Sequence, residues 1–454
     1  FNLSAATLIC LPLRNRQKEG IGILCLLYDS QRLVEPEVQS GRLAFLEALS
    51  GFAAVTLESK KMIKMQKDLL ESFIMLLAGA IDSKSPYTGG HCQRVPVITK
   101  LLARKACDTE TEPFVNFSLS DKEWEALHIA SWLHDCGKIT TPEFVVDKAT
   151  KLETIYDRIH EIRTRFEVMK RDAHLSYWEK LVAGEDKDQL KKQLKADWQR
   201  LDDEFTFVAE SNLGGEYMDP KNVRRLQSIA AQTWTRTLDD RLGISWEELQ
   251  RKERTEAPSL PAKEYLIADR DDHLFIRSEK YQISKDNDYG FILDVPEYLY
   301  NRGELYNLSL ARGTLTHEER YQINDHIVQT ITMLKKLPYP KHLAEVPDIA
   351  GGHHEKLDGT GYPRCLSGEQ MSLTAKMMVI ADIFEALTAS DRPYKKAKKL
   401  SEALKIMGFM EKDKHIDGDL FRLFLSSGAY LEYANSYLKP EQIDDVDIQQ
   451  YLEA

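Results

Sequence analysis

Apolar positions near the start of the chain fall in two β-rich runs within ATLICLPLRNRQKEGIGILCLLYDS, joined by the polar RNRQKEG, and this pattern predicts a hairpin over residues 6–28. From EVQSGRLAFLEALSGFAAVTLESKKMI onward the apolar spacing changes to three and four residues, the period of a helix. Between Leu57 and Ile81 this continues, with Met62, Leu69 and Leu76 recurring every seven residues and Phe73 and Ala80 on the alternating seam. Two readings stay open for 57–81: a coiled-coil connector that pairs two copies as a homodimer, or one amphipathic helix packed on its own domain.

Residues 82–146 and 313–438 carry mostly helical patterns. Thr316 and Glu319 have capping-box spacing, and Ile323, Ile327, Ile331 and Leu334 mark a buried helix face that His326 borders. The intervening 147–312 is charged and irregular. It holds the helical patches LETIYDRIHEIRTRFEVMKRD and DQLKKQLKADWQRLDDEFTFV, then a Pro- and Asp-rich tract from Ala257 to Tyr300, and reads as a large insertion. The last residues, 439–454, read as a tail, and no internal repeat is visible.

With 454 residues the chain has room for roughly three domain-sized units. Its 43% hydrophobic and 29% charged residues describe a folding globular protein. A net charge of -11 argues against a nucleic-acid polymer as partner. Six cysteines scattered without a CxxC pair read as reduced thiols and favour the cytoplasm. No apolar run reaches membrane-spanning length and no signal peptide is visible. Because the chain starts at Phe1, it reads as a fragment of something longer.

The chemistry gathers in four fragments: YTGGHCQRV (87–95), WLHDCGKI (132–139), GGHHEKLDGTGYP (351–363) and MVIADIFEALTASDRPYKKA (378–397). In the second, His134 and Asp135 follow the apolar helical stretch ALHIASWL and precede Gly137, read as a helix-ending glycine. Such a pair can place an imidazole nitrogen and a carboxylate on one metal, leaving the other oxygen free to bridge a second. Asp382 interrupts the apolar run MMVIA and is expected to face inward, where a carboxylate requires a cation or several donors. A lone buried histidine is more often a hydrogen-bonded core residue than a ligand, and His128, His160, His174, His273 and His342 are read that way. A histidine, an HD pair, another histidine, a double histidine and an inward aspartate in one order along helical segments are a different matter.

HDCGK, HHEKLDGTGYP and ADIFEALTASDRPYK together resemble the HD-GYP domain, the helical metal-dependent phosphodiesterase subclass of the HD superfamily. The resemblance covers about 82–146 and 313–425. Segment 1–56 is similar, on weaker motifs, to the C-terminal part of a GAF sensory domain. The implied fold is α+β overall: a partial α/β GAF-like segment (1–56), a helical connector (57–81) and a mostly α-helical catalytic domain (82–438) whose core, 82–146 and 313–438, is split by the insertion 147–312. By position the family's metal ligands fall on His91, His134, Asp135, His326, His353, His354 and Asp382. His91, His134, Asp135 and Asp382 would hold one metal, and Asp135, the bridge, with His326, His353 and His354 the other.

Two divalent ions held this way can activate a water and stabilise charge on a phosphoryl group; iron or manganese suit the mixed N/O set best, and nickel or zinc also fit. The implied activity is that of a cyclic-di-GMP phosphodiesterase, a phosphoric diester hydrolase that opens the ring to pGpG, with continuation to GMP left open, under control of the sensory segment. Asp135 and Lys138 would be catalytic. Lys138, Gly361, Tyr362, Arg392 and Lys395 would bind cyclic di-GMP, Lys138 as a point charge on phosphate and Arg392 by bidentate contact with phosphate or guanine. Gly359, Gly361 and Pro363 shape a turn able to close over the metals.

The family pattern is not followed throughout. A glutamate that recruits a third metal in some members is Tyr87 here, so two metals are expected. Cys136, at the motif's variable position, is expected to pack rather than ligate. The spacer before His134 contains the polar loop CDTETEPFVNFSLSDKE, which makes His91 the loosest assignment. Competing readings are a two-metal phosphohydrolase for another cyclic dinucleotide, and a catalytically silent cyclic-di-GMP receptor or scaffold for a signalling protein partner.

Overall fold

A computed structural model describes residues 6–29, 36–84, 90–279, 282–283, 287–390 and 397–452. The chain is α+β and mostly helical, and it divides into two units, Phe1–Leu77 and Ala78–Ala454. In the first unit β1 (Ala6–Arg14) and β2 (Gly20–Asp29) form the expected antiparallel hairpin, with Cys10 opposite Cys25. Its turn is tied by Asn15, whose side chain donates to Glu19 Oε2 (2.9 Å) and accepts from the Glu19 amide (2.8 Å). α1 (Pro36–Lys84) is one continuous helix of 49 residues. It crosses both expected boundaries, at 56 and at 81, without a break. Phe45, Phe52, Met62, Leu69, Phe73 and Leu76 are exposed on it.

The second unit takes the end of α1, from Ala78, and continues with α2 (His91–Asp108), α3 (Asp121–Leu133), a 3-10 turn (Cys136–Thr140) and the short α4 (Glu143–Val146). A capping box between Ser120 and Glu123 starts α3, satisfying amides that the first helical turn leaves without partners. The segment read as an insertion then supplies α5 (Ile159–Val182), α6 (Lys187–Asn212), α7 (Pro220–Ala230), β3 (Thr233–Arg236), α8 (Trp246–Lys252), β4 (Ala262–Tyr265), β5 (Leu274–Ile276), β6 (Tyr298–Asn301) and α9 (Glu304–Leu308). β3 pairs with β4 and β5 with β6, each antiparallel.

These elements enclose a core of their own, in which Leu152, Ile162, Phe166, Leu201, Leu226 and Leu266 are buried together. The segment is therefore more ordered than its charge pattern suggests. Its strands run only three or four residues, too short for alternation to show. His160 and His174, expected in the core, lie instead on exposed faces of α5. Two buried ion pairs join this layer together and to the rest: Arg165 to Glu304 at 2.8 Å, and Lys148 to Glu319 of the next helix at 2.7 Å.

The chain returns through α10 (His317–Lys335), α11 (Val346–Gly351), α12 (Leu373–Thr388), α13 (Leu400–Lys412), α14 (Gly418–Ser426), α15 (Ala429–Tyr437) and α16 (Gln449–Leu452). The Thr316–Glu319 capping box forms as expected. Phe384 of α12 is fully buried, its ring 5.0 Å from Phe424 of α14. The last residues pack back on this core, where Gln442 donates to the carbonyls of Thr388 (2.8 Å) and Lys398 (3.2 Å). Among the described residues no helix is long and apolar enough to cross a membrane.

Candidate metal centre

α2, α3 with its 3-10 turn, α10, α11 with the following loop, and α12 converge on Asp135, whose side chain is 1% exposed. Its Oδ2 lies 3.3 Å from Nε2 of His91 and 3.3 Å from Nε2 of His134. Its Oδ1 lies 3.3 Å from Nε2 of His326 and 3.8 Å from Nε2 of His353. Asp382 completes the first group, with Oδ1 3.1 Å from His91 and 3.8 Å from His134. His354 completes the second, its ring centroid 4.3 Å from that of His353 and 5.1 Å from that of His326. The seven positions singled out in the sequence thus sit together, and one carboxylate stands between the two groups.

The outward nitrogens of the imidazoles determine what the inward ones can do. Nδ1 of His134 faces the Ser131 carbonyl (2.8 Å), Nδ1 of His353 the Ala350 carbonyl (2.7 Å), and Nδ1 of His326 the Ile323 carbonyl. Carbonyl oxygens only accept, so each Nδ1 carries the hydrogen and each Nε2 presents a lone pair. Nε2 of His326, Nε2 of His353 and Oδ1 of Asp135 are buried and make no hydrogen bond. Buried acceptors collected this way, with like charge density face to face, are costly unless a cation lies between them.

Spacing supplies a second test of fit. A first-row cation bonded at about 2.1 Å sets neighbouring ligand atoms about 3.0–3.4 Å apart. The separations of His91 from Asp382 (3.1 Å), Asp135 (3.3 Å) and His134 (3.3 Å) lie in that range. Among the described residues, His91–His134–Asp135 and His326–His353–His354 are the groups with ligand atoms close enough to hold an ion. The donor set fits the group that the sequence implies.

Electrostatics follow the same layout. Burial disfavours charge on Asp135 and Asp382, but Lys138 and His134 beside the former, and His91 and His353 beside the latter, hold both carboxyls well below the usual range. Burial pushes the His353 imidazole down to about 3 and that of His354 well below its usual value. For His91 burial is outweighed by hydrogen bonds to Asp135, Asp382 and Glu385, which raise its pKa well above the ordinary value. A proton and a cation therefore compete for the space between these carboxylates, and metal uptake there releases the proton.

Two backbone approaches set the frame. A Cβ on Gly137 would lie 1.9 Å from the His326 carbonyl oxygen, so glycine here lets the 3-10 turn that follows Asp135 touch α10; the residue is not the helix end expected from the sequence. Gly137 N–H also donates to Thr330 Oγ1 at 2.9 Å. A Cβ on Gly361 would lie 2.3 Å from the Lys356 nitrogen, so the Gly-Tyr-Pro turn folds directly onto the backbone behind the paired histidines. Tyr362 donates its amide to the His354 carbonyl (3.1 Å) and stacks its ring on His354, 4.8 Å between centroids and 21° between planes.

Lys138, 29% exposed at its side chain, reaches back to Asp135 Oδ2 at 2.6 Å, and Asp382 is 14% exposed; the cluster opens to solvent on this side. Cys136 is buried, and burial pushes its thiol up to about 11, as a packing residue. Arg392, Lys395 and Tyr87 lie outside the described residues.

Sequence reasoning missed the supports behind His91. Glu385, 1% exposed, receives Nδ1–H of His91 and binds Arg94 through its other oxygen at 2.7 Å. Asp82 accepts the amides of Gly90 (3.1 Å) and Cys92 (3.3 Å), fixing where α2 begins. Lys84 donates to the carbonyls of Ile139 and Thr141, both at 2.5 Å, beside the HD turn. A signal for the first pair was present: Glu385 follows Asp382, and Arg94 follows His91, by three residues on one helix face.

Comparison with known proteins agrees with this geometry. The HD domain family model matches residues 261–420, a span that contains His326, His353, His354 and Asp382 and begins inside the segment read as an insertion. The chain is 45% identical over 95 residues to a 3'3'-cGAMP-specific phosphodiesterase of Vibrio cholerae, covering 21% of this chain and 20% of that protein. It is 45% identical over 115 residues to a cyclic di-GMP phosphodiesterase of Pseudomonas aeruginosa, covering 25% and 27%. It is 28% identical over 190 residues to a cyclic di-GMP phosphodiesterase response regulator of Xanthomonas campestris, covering 40% and 50%. The matched segments span between a fifth and a half of these relatives' length.

Proposed function

We propose that this chain, which carries an HD domain, is a metal-dependent phosphodiesterase that opens cyclic dinucleotides, with cyclic di-GMP as its substrate. The observation that carries the reading is Asp135, each of whose oxygens faces a separate group of histidine nitrogens. Two divalent ions at those groups, iron or manganese by preference and nickel or zinc as substitutes, would supply an activated water and charge stabilisation for the phosphoryl group. His91, His134, Asp135 and Asp382 would hold one, and Asp135, His326, His353 and His354 the other.

The remaining residues bind and orient. Lys138 stands at the open side of the cluster, where an ammonium already paired to Asp135 can turn to a phosphate oxygen. Burial disfavours its charge, but Asp135 outweighs this and raises its pKa, so the group stays cationic. Tyr362, whose ring stacks on His354, and Gly361 are assigned to nucleotide binding from the sequence, as are Arg392 and Lys395 to phosphate and guanine. Hydrolysis of one phosphodiester gives linear pGpG, and a second cleavage gives GMP.

The relative named for 3'3'-cGAMP supports a second reading of the substrate, a mixed cyclic dinucleotide, on the same site. Further parts of the proposal rest on the sequence: a GAF-like sensory segment upstream that regulates the enzyme, a homodimer through helix 57–81, and a cytoplasmic location. The exposed apolar residues of α1 support the pairing. Competition between the two nucleotides for the iron- or manganese-loaded chain tests the substrate. Preferential cleavage of cyclic di-GMP is expected, and preference for 3'3'-cGAMP assigns the second reading.

A further inference from the structure

We propose that the turn Asn287–Leu293, inside the segment read as an insertion, clamps the Gly-Tyr-Pro turn and positions Tyr362 for nucleotide binding; this deepens the phosphodiesterase reading and rests on it. The turn is built to hold its own shape. Asn287 Oδ1 accepts the amides of Tyr289 (3.2 Å) and Phe291 (2.9 Å), and its Nδ2 donates to the Phe291 carbonyl (3.0 Å). Gly290 takes the reversal at φ 71°, and the Tyr289 and Phe291 rings stack at 5.4 Å and 28°. Lys335 of α10 lies 5.4 Å over the Tyr289 ring, tying the turn to that helix.

Two contacts carry this rigidity into the site. The amide of Ile292 donates to the Pro363 carbonyl at 2.6 Å, directly after Tyr362. Phe291, 6% exposed, forms one buried cluster with Ile327, Val328 and Ile331 of α10, and Tyr362 packs against that cluster. The Tyr362 ring also stacks on His354. The tyrosine is thus held between a candidate ligand and a cluster that the inserted segment completes. Loosening the turn leaves the ligands in place and frees the ring, so the effect belongs in substrate binding rather than in metal content or in the chemical step.

Phe291→Ala empties the cluster, and Asn287→Ala unties the turn while leaving the cluster's side chains intact; Phe291→Leu is the conservative control. In the full chain, both alanine variants should speed hydrogen exchange at the Tyr362 amide by about tenfold with α12 unchanged. They should raise KM for cyclic di-GMP about fivefold with kcat nearly constant, metal per chain equal to wild type, and Phe291→Leu close to wild type. Wild-type exchange at Tyr362 in both alanine variants overturns the clamp. Absence of turnover in the metal-loaded wild type counts against the phosphodiesterase reading alone, because the exchange comparison decides the clamp without it.

Discussion

Glu385 accepts the Nδ1 hydrogen of His91 and is itself held by Arg94 at 2.7 Å, so a carboxylate, an imidazole and the centre form one line of contacts. Such a partner fixes the ring's orientation and tautomer and makes the inward nitrogen a better donor. Glu385→Gln should weaken ion binding at the His91 group about 10–100-fold. Titration of the metal-free chain followed by metal analysis reads this directly. Two ions held as tightly as in wild type would show that the contact is only packing.

Arg94→Ala leaves the Glu385 carboxylate, 1% exposed, with His91 as its remaining charged partner. Losing one partner of a buried charged group costs about 1–3 kcal/mol. Urea unfolding of the metal-free protein should show that loss. Unchanged stability would mean that water replaces the guanidinium.

Gly137→Ala places a methyl group where the His326 carbonyl oxygen already lies. Either the HD turn or α10 must move, and overpacking of this kind costs about 1–3 kcal/mol or more. Stability and the affinity of the His326 group for an ion should fall together. A variant with normal unfolding and normal ion content would refute the close approach.

His273 lies in the charged part of the inserted segment, and burial with Arg270 nearby pushes its imidazole down to about 4. Its Nδ1 accepts the Arg270 amide at 3.4 Å, which requires the neutral ring. An unfolded histidine has a pKa of about 6.5, so between about pH 4 and 6.5 the unfolded chain binds more protons, and stability rises with pH. The contribution is complete above that window and is lost as pH falls through it. Comparing urea unfolding at both ends of the window for wild type and His273→Gln tests it: the variant should lose part of the slope, and identical slopes would assign the dependence elsewhere.

Much of the centre was legible because its chemistry is written in short adjacent strings. His134 and Asp135 are neighbours, as are His353 and His354, and an aspartate set between the apolar MMVIA and IF has few uses other than facing a cation. The Thr316–Glu319 capping box and the first hairpin were legible for a similar reason, since each depends on contacts within a few residues. What local pattern could not supply was contact between distant segments. Gly137 reads as a helix stop until α10 is placed against it. The inserted segment reads as irregular because β3 to β6 are too short to alternate and because its core joins Leu152 to Leu308 across the whole segment. The helical spacing that starts at EVQSGRL was legible too, and it forms one helix, α1, from Pro36 to Lys84.

The central proposal is that Asp135 is the shared carboxylate of a hydrolytic centre. The most direct measurement is metal content and turnover of cyclic di-GMP, side by side, for the reconstituted wild type and Asp135→Asn, which keeps the shape and removes the charge. The wild type should hold two ions and release linear pGpG, with ions depleted at both groups and turnover abolished in the variant. Equal turnover by the two proteins, or a fully loaded wild type that leaves cyclic dinucleotides intact, would contradict it.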